Sequence, residues 1–327
     1  MKKITCLLLS VILSLSIFMG ICPVSYAENA SSSIVFVDPT EYLDLDEISF
    51  EAVLKCSVDD ICSYIDACRA ANNIPIPSTG NEVVNYSGDA EPIWGSNWRK
   101  EEDVIKTHEM MAFVSVCLMF SEKQSWGTDV LYAIGDAGMI AAYSAEPDDW
   151  KNEANIPAFV GHFYDPDTGK SYALGSTVTA KTNIKKYYDK AVKAIKSGDR
   201  DKGLKYFGYA LHFLQDINQP HHAANIVAKE YNDAHGKFET YVDNNLDSIV
   251  TPITDNNRTT MYYSWCMSKS VEEILIKCAH ISKSKASLIN DGNDSSNWLR
   301  VATEQLTNTY YYSAAFTYKF AKDSNLI

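Results

Sequence analysis

Metal-ligand side chains recur at helical spacing in this chain: His212 with Asp216, then His235 with Glu239, each pair four residues apart. On an α-helix that interval stacks two side chains on one face about one turn apart, close enough to hold one ion or two neighbouring ions. Between the pairs, His222 follows Pro220, where one helix ends and the next begins, so its imidazole can turn back toward the first pair. A single His-x-x-x-Asp pair is commonplace on a solvated helix. Two pairs and an intervening histidine within residues 211–239, joined by His108 and His162 upstream, predict a multinuclear metal centre. Neutral imidazole and carboxylate suit zinc, and a centre that keeps a position open for water is hydrolytic rather than structural.

The rest of the chain supports a helical frame for such a centre. Of 327 residues 46% are hydrophobic, enough for a substantial core. From Glu101 onward the periodicity turns helical: Val104, His108, Met111, Ser115 and Leu118 recur at three or four positions, as do Val130, Ala133, Ala137 and Ile140. Helices are predicted near 184–195, 203–216, 222–246, 262–284 and 298–321, with loops at 146–173 and 286–295. Strand signals are scarce, so the expected architecture is an all-α multi-helix bundle with ligands projecting inward from facing helices.

The amino-terminal third reads differently. Lys2 and Lys3, the apolar stretch Leu7 to Met19 and the small-x-small triplet Ser25-Tyr26-Ala27 predict a signal peptide over residues 1–27, hence a secreted protein. Residues 28–97 carry two basic residues, Lys55 and Arg69, against thirteen acidic ones, a net of −11 within a chain total of −13. That segment is expected to be an acidic propeptide or poorly ordered extension, with a short helix within 51–71 and a turn at Ile74 to Gly80. Cys56, Cys62, Cys68, Cys117, Cys266 and Cys278 follow the signal; the group of three predicts an unpaired thiol or a bond reaching outside it. None has the close-pair spacing of a zinc ribbon.

Five separated motifs carry a resemblance: THEMM at 107–111, EPDDW at 146–150, GHFYDPDTG at 161–169, ALHFLQDINQPHHAAN at 210–225 and HGKFE at 235–239. In order and spacing they resemble the zinc-dependent bacterial phospholipases C. The resemblance implies a catalytic domain over 98–327 holding three zinc ions: His162, His212 and Asp216 on the first, His222, His235 and Glu239 on the second, and His108 with bridging Asp216 on the third. It implies that the third also takes the amino group of a terminal tryptophan, Trp98 or alternatively Trp94, exposed by a maturation protease. Asp148 matches the general base, while Asp165 and Asp167 read as turn formers. Glu101 and Phe159 fall where the family binds a choline head group, but Asp149 stands where an aromatic usually follows the base.

The implied reaction is hydrolysis of a phospholipid at a membrane surface to diacylglycerol and a phosphorylated head group. The end at Ile327 leaves no room for the carboxy-terminal β-sandwich of the toxin branch, so strong lysis is not expected. A single-strand-specific zinc nuclease uses a similar helical site. In that family the last two histidines lie farther apart and the final ligand is Asp, whereas here His222 and His235 are thirteen apart and Glu239 follows. A net of −4 over 98–327 argues mildly against a nucleic-acid partner.

Overall fold

The computed structural model describes residues 34–45, 47–75, 107–123, 126, 129–149, 152–155, 159–227, 233–254 and 260–327. Twelve α-helices run through them: α1 (Phe50–Val53), α2 (Val58–Ala71), α3 (Thr107–Glu122), α4 (Val130–Ser144), α5 (Ala180–Lys196), α6 (Arg200–Asp216), α7 (Pro220–Ala223), α8 (Ala234–Asn244), α9 (Leu246–Thr254), α10 (Thr260–Met267), α11 (Val271–Lys283) and α12 (Trp298–Asp323). Among the described residues there is no strand, only an isolated bridge between Asp165 and Lys170. None of the described helices is long and apolar enough to cross a membrane.

The burial pattern fixes the order of layers. Helix α3 is buried continuously from Thr107 to Phe120, which a helix can sustain only with neighbours on every side. Those neighbours are α1, α2, α4, α6 and α12, with α6 also packed on α4 and α5 along α6. By contrast α5 is amphipathic, burying Ile184, Tyr187, Tyr188 and Ala191 and turning its lysines outward. A reciprocal capping box at Thr179 and Thr182 starts it, and Gly198 at φ +84° carries the chain out of it toward α6.

Three differences from the sequence reading have local causes. The helix expected over 222–246 ends at Ala223, where the chain turns through Asn225 at φ 55°, and α8 starts separately at Ala234. The helix expected over 262–284 is two helices, because Ser270 forms its own capping box with Glu273 and starts α11 afresh. The loop expected over 146–173 contains three single turns of 3₁₀ helix, at Glu146–Asp148, Glu153–Asn155 and Val160–His162.

Within the acidic leading segment, residues 34–75 form packed helices rather than a poorly ordered extension. Val53, Ile61, Tyr64, Ile65 and Cys68 are buried against α3 and α4. Arg69, itself 2% exposed, pairs with buried Glu109 of α3 and donates to Ala142 O of α4 at 2.7 Å. All six described cysteines are free thiols.

Candidate metal centre

Four stretches deliver ligand-type side chains to one buried point. The first turn of α3 brings His108; the 3₁₀ turns bring Asp148 and His162; the last two turns of α6 bring His212 and Asp216; and α7 with α8 brings His222, His235 and Glu239. All eight are essentially excluded from solvent. The close approach of α6 to α4 depends on Gly208, one turn before His212, where a Cβ would sit 2.8 Å from Ile140 O and 2.8 Å from Tyr143 Cβ. That proximity lets His212 Nδ1 donate to Ser144 O at 2.8 Å.

Three histidines are held in the same manner. His212 Nδ1 bonds Ser144 O, His108 Nδ1 bonds Gln215 Oε1 at 2.8 Å, and His235 Nδ1 bonds Ile226 O at 2.7 Å. Each anchor holds the ring by Nδ1 and turns Nε2 inward, the arrangement that metal-ligating histidines adopt. Asp216 stands at the centre. Its Oδ2 lies 2.8 Å from His162 Nδ1 and 3.0 Å from His212 Nε2, and its Oδ1 3.1 Å from His222 Nδ1 and 3.5 Å from His108 Nε2. Glu239 Oε1 lies 2.8 Å from His235 Nε2 and 3.3 Å from His222 Nε2.

Three groups of atoms are close enough to share an ion: His108, His212 and Asp216; Asp148, His162 and His212; and His222, His235 and Glu239. Asp148, assigned from sequence as a base, therefore stands among the donors, its Oδ1 3.6 Å from His162 Nδ1 and 3.5 Å from His212 Nε2. The arrangement passes a test of fit to metal. Both oxygens of Asp148, His108 Nε2 and His162 Nε2 are buried without a hydrogen-bond partner, a costly arrangement for a core but an ordinary one for donors to a cation.

The electrostatics have the same character. Burial alone would raise Asp216, yet the surrounding histidines hold it well below the usual carboxylate range. Burial would lower His222, but Asp216 and Glu239 raise it to about 10. Burial lowers His212 to about 3, keeping it neutral. Asp148 is pushed well above the usual range, first by burial and then by the charge of Asp216 after partial offset from His108.

Of the remaining residues singled out from sequence, Phe159 is half-buried at φ 51°, its ring centroid 5.7 Å from that of His162. Asp165 accepts from the Asp167 amide at 2.8 Å within the turn, and both carboxylates pair with Lys283. Trp98, Trp94 and Glu101 lie outside the described residues. Sequence reasoning passed over several supporting residues. Gln215 orients His108, and Gln219 donates to Glu239 Oε1 at 2.8 Å while its own carbonyl oxygen caps α7. His221 stacks on His235 at 5.2 Å. Buried Glu146, two residues before Asp148, accepts from Tyr209 and lies 3.3 Å from Lys205. The glutamines and His221 adjoin ligands within one motif, which was the available signal; the Tyr209–Glu146 bond spans 63 positions and left none.

Comparison with known proteins agrees with this geometry. Residues 139–290 match the family model described as zinc dependent phospholipase C. A phospholipase C of Bacillus cereus is 34% identical over 148 residues, 45% of this chain and 50% of that protein, so the chain spans about half the length of that relative. A phospholipase C of Paraclostridium bifermentans is 25% identical over 248 residues, 69% of this chain and 61% of that protein. Among solved structures, the alpha toxin from Clostridium absonum superposes with a TM-score of 0.58 at 21% identity over 69% of this chain and 66% of that one, a likeness of fold. Seven of the eight buried donors lie inside the stretch that matches the zinc dependent phospholipase C family model.

Proposed function

We propose that this protein is a secreted zinc phosphodiesterase that hydrolyses phospholipids to diacylglycerol and a phosphorylated head group. The observation that carries the reading is the buried cluster of orphaned imidazole and carboxylate atoms, most of it within the segment that matches the family model. His162, His212 and Asp216 would hold one zinc with Asp148 beside it, His222, His235 and Glu239 a second, and His108 with Asp216 a third. Zinc bound there would neutralise charge on the phosphoryl oxygens and make a nearby water more acidic.

The chain's own part is positional. Asp148 orients the attacking water and takes its proton as the new P–O bond forms and the bond to the diacylglycerol oxygen breaks. The Tyr209–Glu146 bond and the Lys205 contact fix the turn that carries Asp148. Glu101 and Phe159 are proposed to meet the head group, and Trp98, or alternatively Trp94, to complete the third site once a protease has removed the residues that precede it.

Hydrolysis of phosphatidylcholine, phosphatidylethanolamine and denatured DNA, each with and without chelator, tests the reading. Chelator-sensitive release of diacylglycerol supports it, and cleavage of DNA alone replaces it with the single-strand nuclease. Amino-terminal sequencing of the exported protein tests the maturation step: a start at Glu28 leaves no tryptophan amine for the third zinc.

A further inference from the structure

Positive charge is gathered on one part of this acidic protein. Between Ala180 and Lys205 stand nine of the chain's 29 basic residues against three acidic ones, a net of +6 where the whole chain is −13. The cations are Lys181, Lys185, Lys186, Lys190, Lys193 and Lys196 of α5, and Arg200, Lys202 and Lys205 of α6. Lys185, Lys186, Lys193 and Lys196 lie on the exposed side of α5. Five of the nine are ion-paired: Lys185 with Asp189 at 2.9 Å, Lys190 with Glu153 at 3.1 Å, Arg200 with Asp136, Lys202 with Asp199 and Lys205 with Glu146 at 3.3 Å. Lys186, Lys193 and Lys196 make no ion pair among the described residues. At the end of α5, Lys193, Lys196 and Lys322 line a shallow hollow of about 760 Å³ together with Asp189 and Asp323. The loop leading into the helix leaves Leu174 fully exposed.

We propose that this lysine face of α5 docks on a bilayer bearing anionic lipid. The inference rests on the reading of the substrate as phospholipid and adds a surface that would bring the enzyme to it. A row of basic side chains near a negatively charged leaflet gains affinity with each lysine. Helix α5 also adjoins the metal centre: Lys190 Nζ lies 3.1 Å from Glu153 in the turn that follows Asp148, and Asn183 reaches the carbonyl oxygen of Gly161, beside His162.

Lipid fits the face better than nucleic acid does. Eight of the nine cations are lysines, hydrated point charges suited to a fluid plane of head groups, whereas bidentate phosphate recognition favours arginine. The neighbouring aromatic rings give bases no open platform, since Lys186 and Lys190 lie over Tyr187 and Lys190 also covers Tyr206.

Vesicle flotation tests the proposal, using zinc-loaded D148N protein so that lipid is not consumed during the measurement. Vesicles of phosphatidylcholine with about 30 mol % phosphatidylserine should bind far more protein than phosphatidylcholine alone, and binding should fall as salt rises from about 0.1 M to about 0.5 M. The triple change K186E/K193E/K196E should weaken binding by on the order of a hundredfold. The milder K186Q/K193Q/K196Q guards against misfolding and should show a smaller loss in the same direction. In the Asp148 background both variants should keep wild-type hydrolysis of monomeric short-chain phosphatidylcholine, which reads the chemistry without the surface. Equal binding to neutral and anionic vesicles, or unchanged binding by both triple variants, overturns the docking face. So does a loss of binding to a single-stranded oligonucleotide with vesicle binding intact. Absent hydrolysis of the monomeric substrate overturns the phospholipase reading instead, with flotation judged separately.

Discussion

Asp216 and Glu239 are both buried carboxylates among histidines, yet the geometry gives them unequal weight. Asp216 spreads its two oxygens over four imidazoles, those of His162, His212, His222 and His108, at 2.8 to 3.5 Å. Glu239 faces two, those of His235 and His222. Replacing either by its amide keeps the volume and removes the charge. Asp216→Asn should therefore strip an anionic ligand from the two zinc positions proposed to share it, and Glu239→Gln from one. Loss of a residue that merely orients a ligand costs about 10–100-fold in metal affinity, so loss of a ligand should weaken each affected position at least that much. Zinc counted by mass spectrometry after dialysis against a moderate chelator should drop by two ions in D216N and by one in E239Q. Phosphodiester hydrolysis by D216N should fall by at least roughly 10²–10³, the cost of removing one strong electrostatic contact to the reacting group. Equal zinc loss in the two variants, or full zinc retention in D216N, would refute the argument that one carboxylate bridges two positions.

Four further outcomes are expected. Gly208→Val should destabilise the protein by about 1–3 kcal/mol in urea titration and lower activity as well, because the new side chain meets Ile140 O and Tyr143 and pushes α6 and His212 away from Ser144; retained activity at full stability counts against that packing. In the uncleaved chain Arg69→Met should cost about 3–5 kcal/mol by leaving buried Glu109 without its partner, and R69M/E109M should recover most of the loss. In chelated protein, His222 holds a proton to about 10 against an ordinary 6.5, so its contribution is intact below about 6.5 and fades as pH climbs through about 10; Asp148, also raised, acts in the same direction. The melting temperature should then fall over that range and zinc loading should flatten the fall, whereas a level profile without metal contradicts the His222–Asp216 pairing. Tyr209→Phe should lower kcat with zinc content unchanged, since it loosens the turn carrying Asp148 and leaves the ligands in place; a zinc loss equal to the loss of rate would make Tyr209 part of the metal scaffold.

What sequence disclosed about the site followed the range over which each signal acts. His212 with Asp216 and His235 with Glu239 were legible because helical spacing puts partners four residues apart. The place of Asp148 among the donors was not, because its neighbours His162 and His212 are 14 and 64 positions away and only the fold joins them. The frame followed the same rule: α5 and α12 show clear periodicity and a capping signal or an uninterrupted run, while the break before α11 turned on one serine. For the leading segment, a net of −11 averaged over 28–97 masked the stripe Val58, Ile61, Ile65 and Cys68, whose three- and four-residue steps bury one face of α2.

That stripe bears on how the metal centre is built. Helix α3 packs between the leading helices and the ligand-bearing α6, and its His108 and Glu109 are consecutive. Glu109 points to Arg69 of α2, and His108 is held by Gln215 of α6, so the two sides of α3 are set by opposite partners. Gly138 of α4 sharpens the dependence: a Cβ there would lie 2.8 Å from Cys68 Sγ and 3.0 Å from Tyr64, so α2 fits against α4 only because that position has no side chain. Loss of α2 would uncover the α4 surface around Gly138 and leave Glu109 as a buried carboxylate without its cation, one residue from a ligand. In the uncleaved chain the surroundings of His108, and with them the donor group that includes His212 and Asp216, are thereby tied to residues 34–75, the segment that the proposed maturation step would remove.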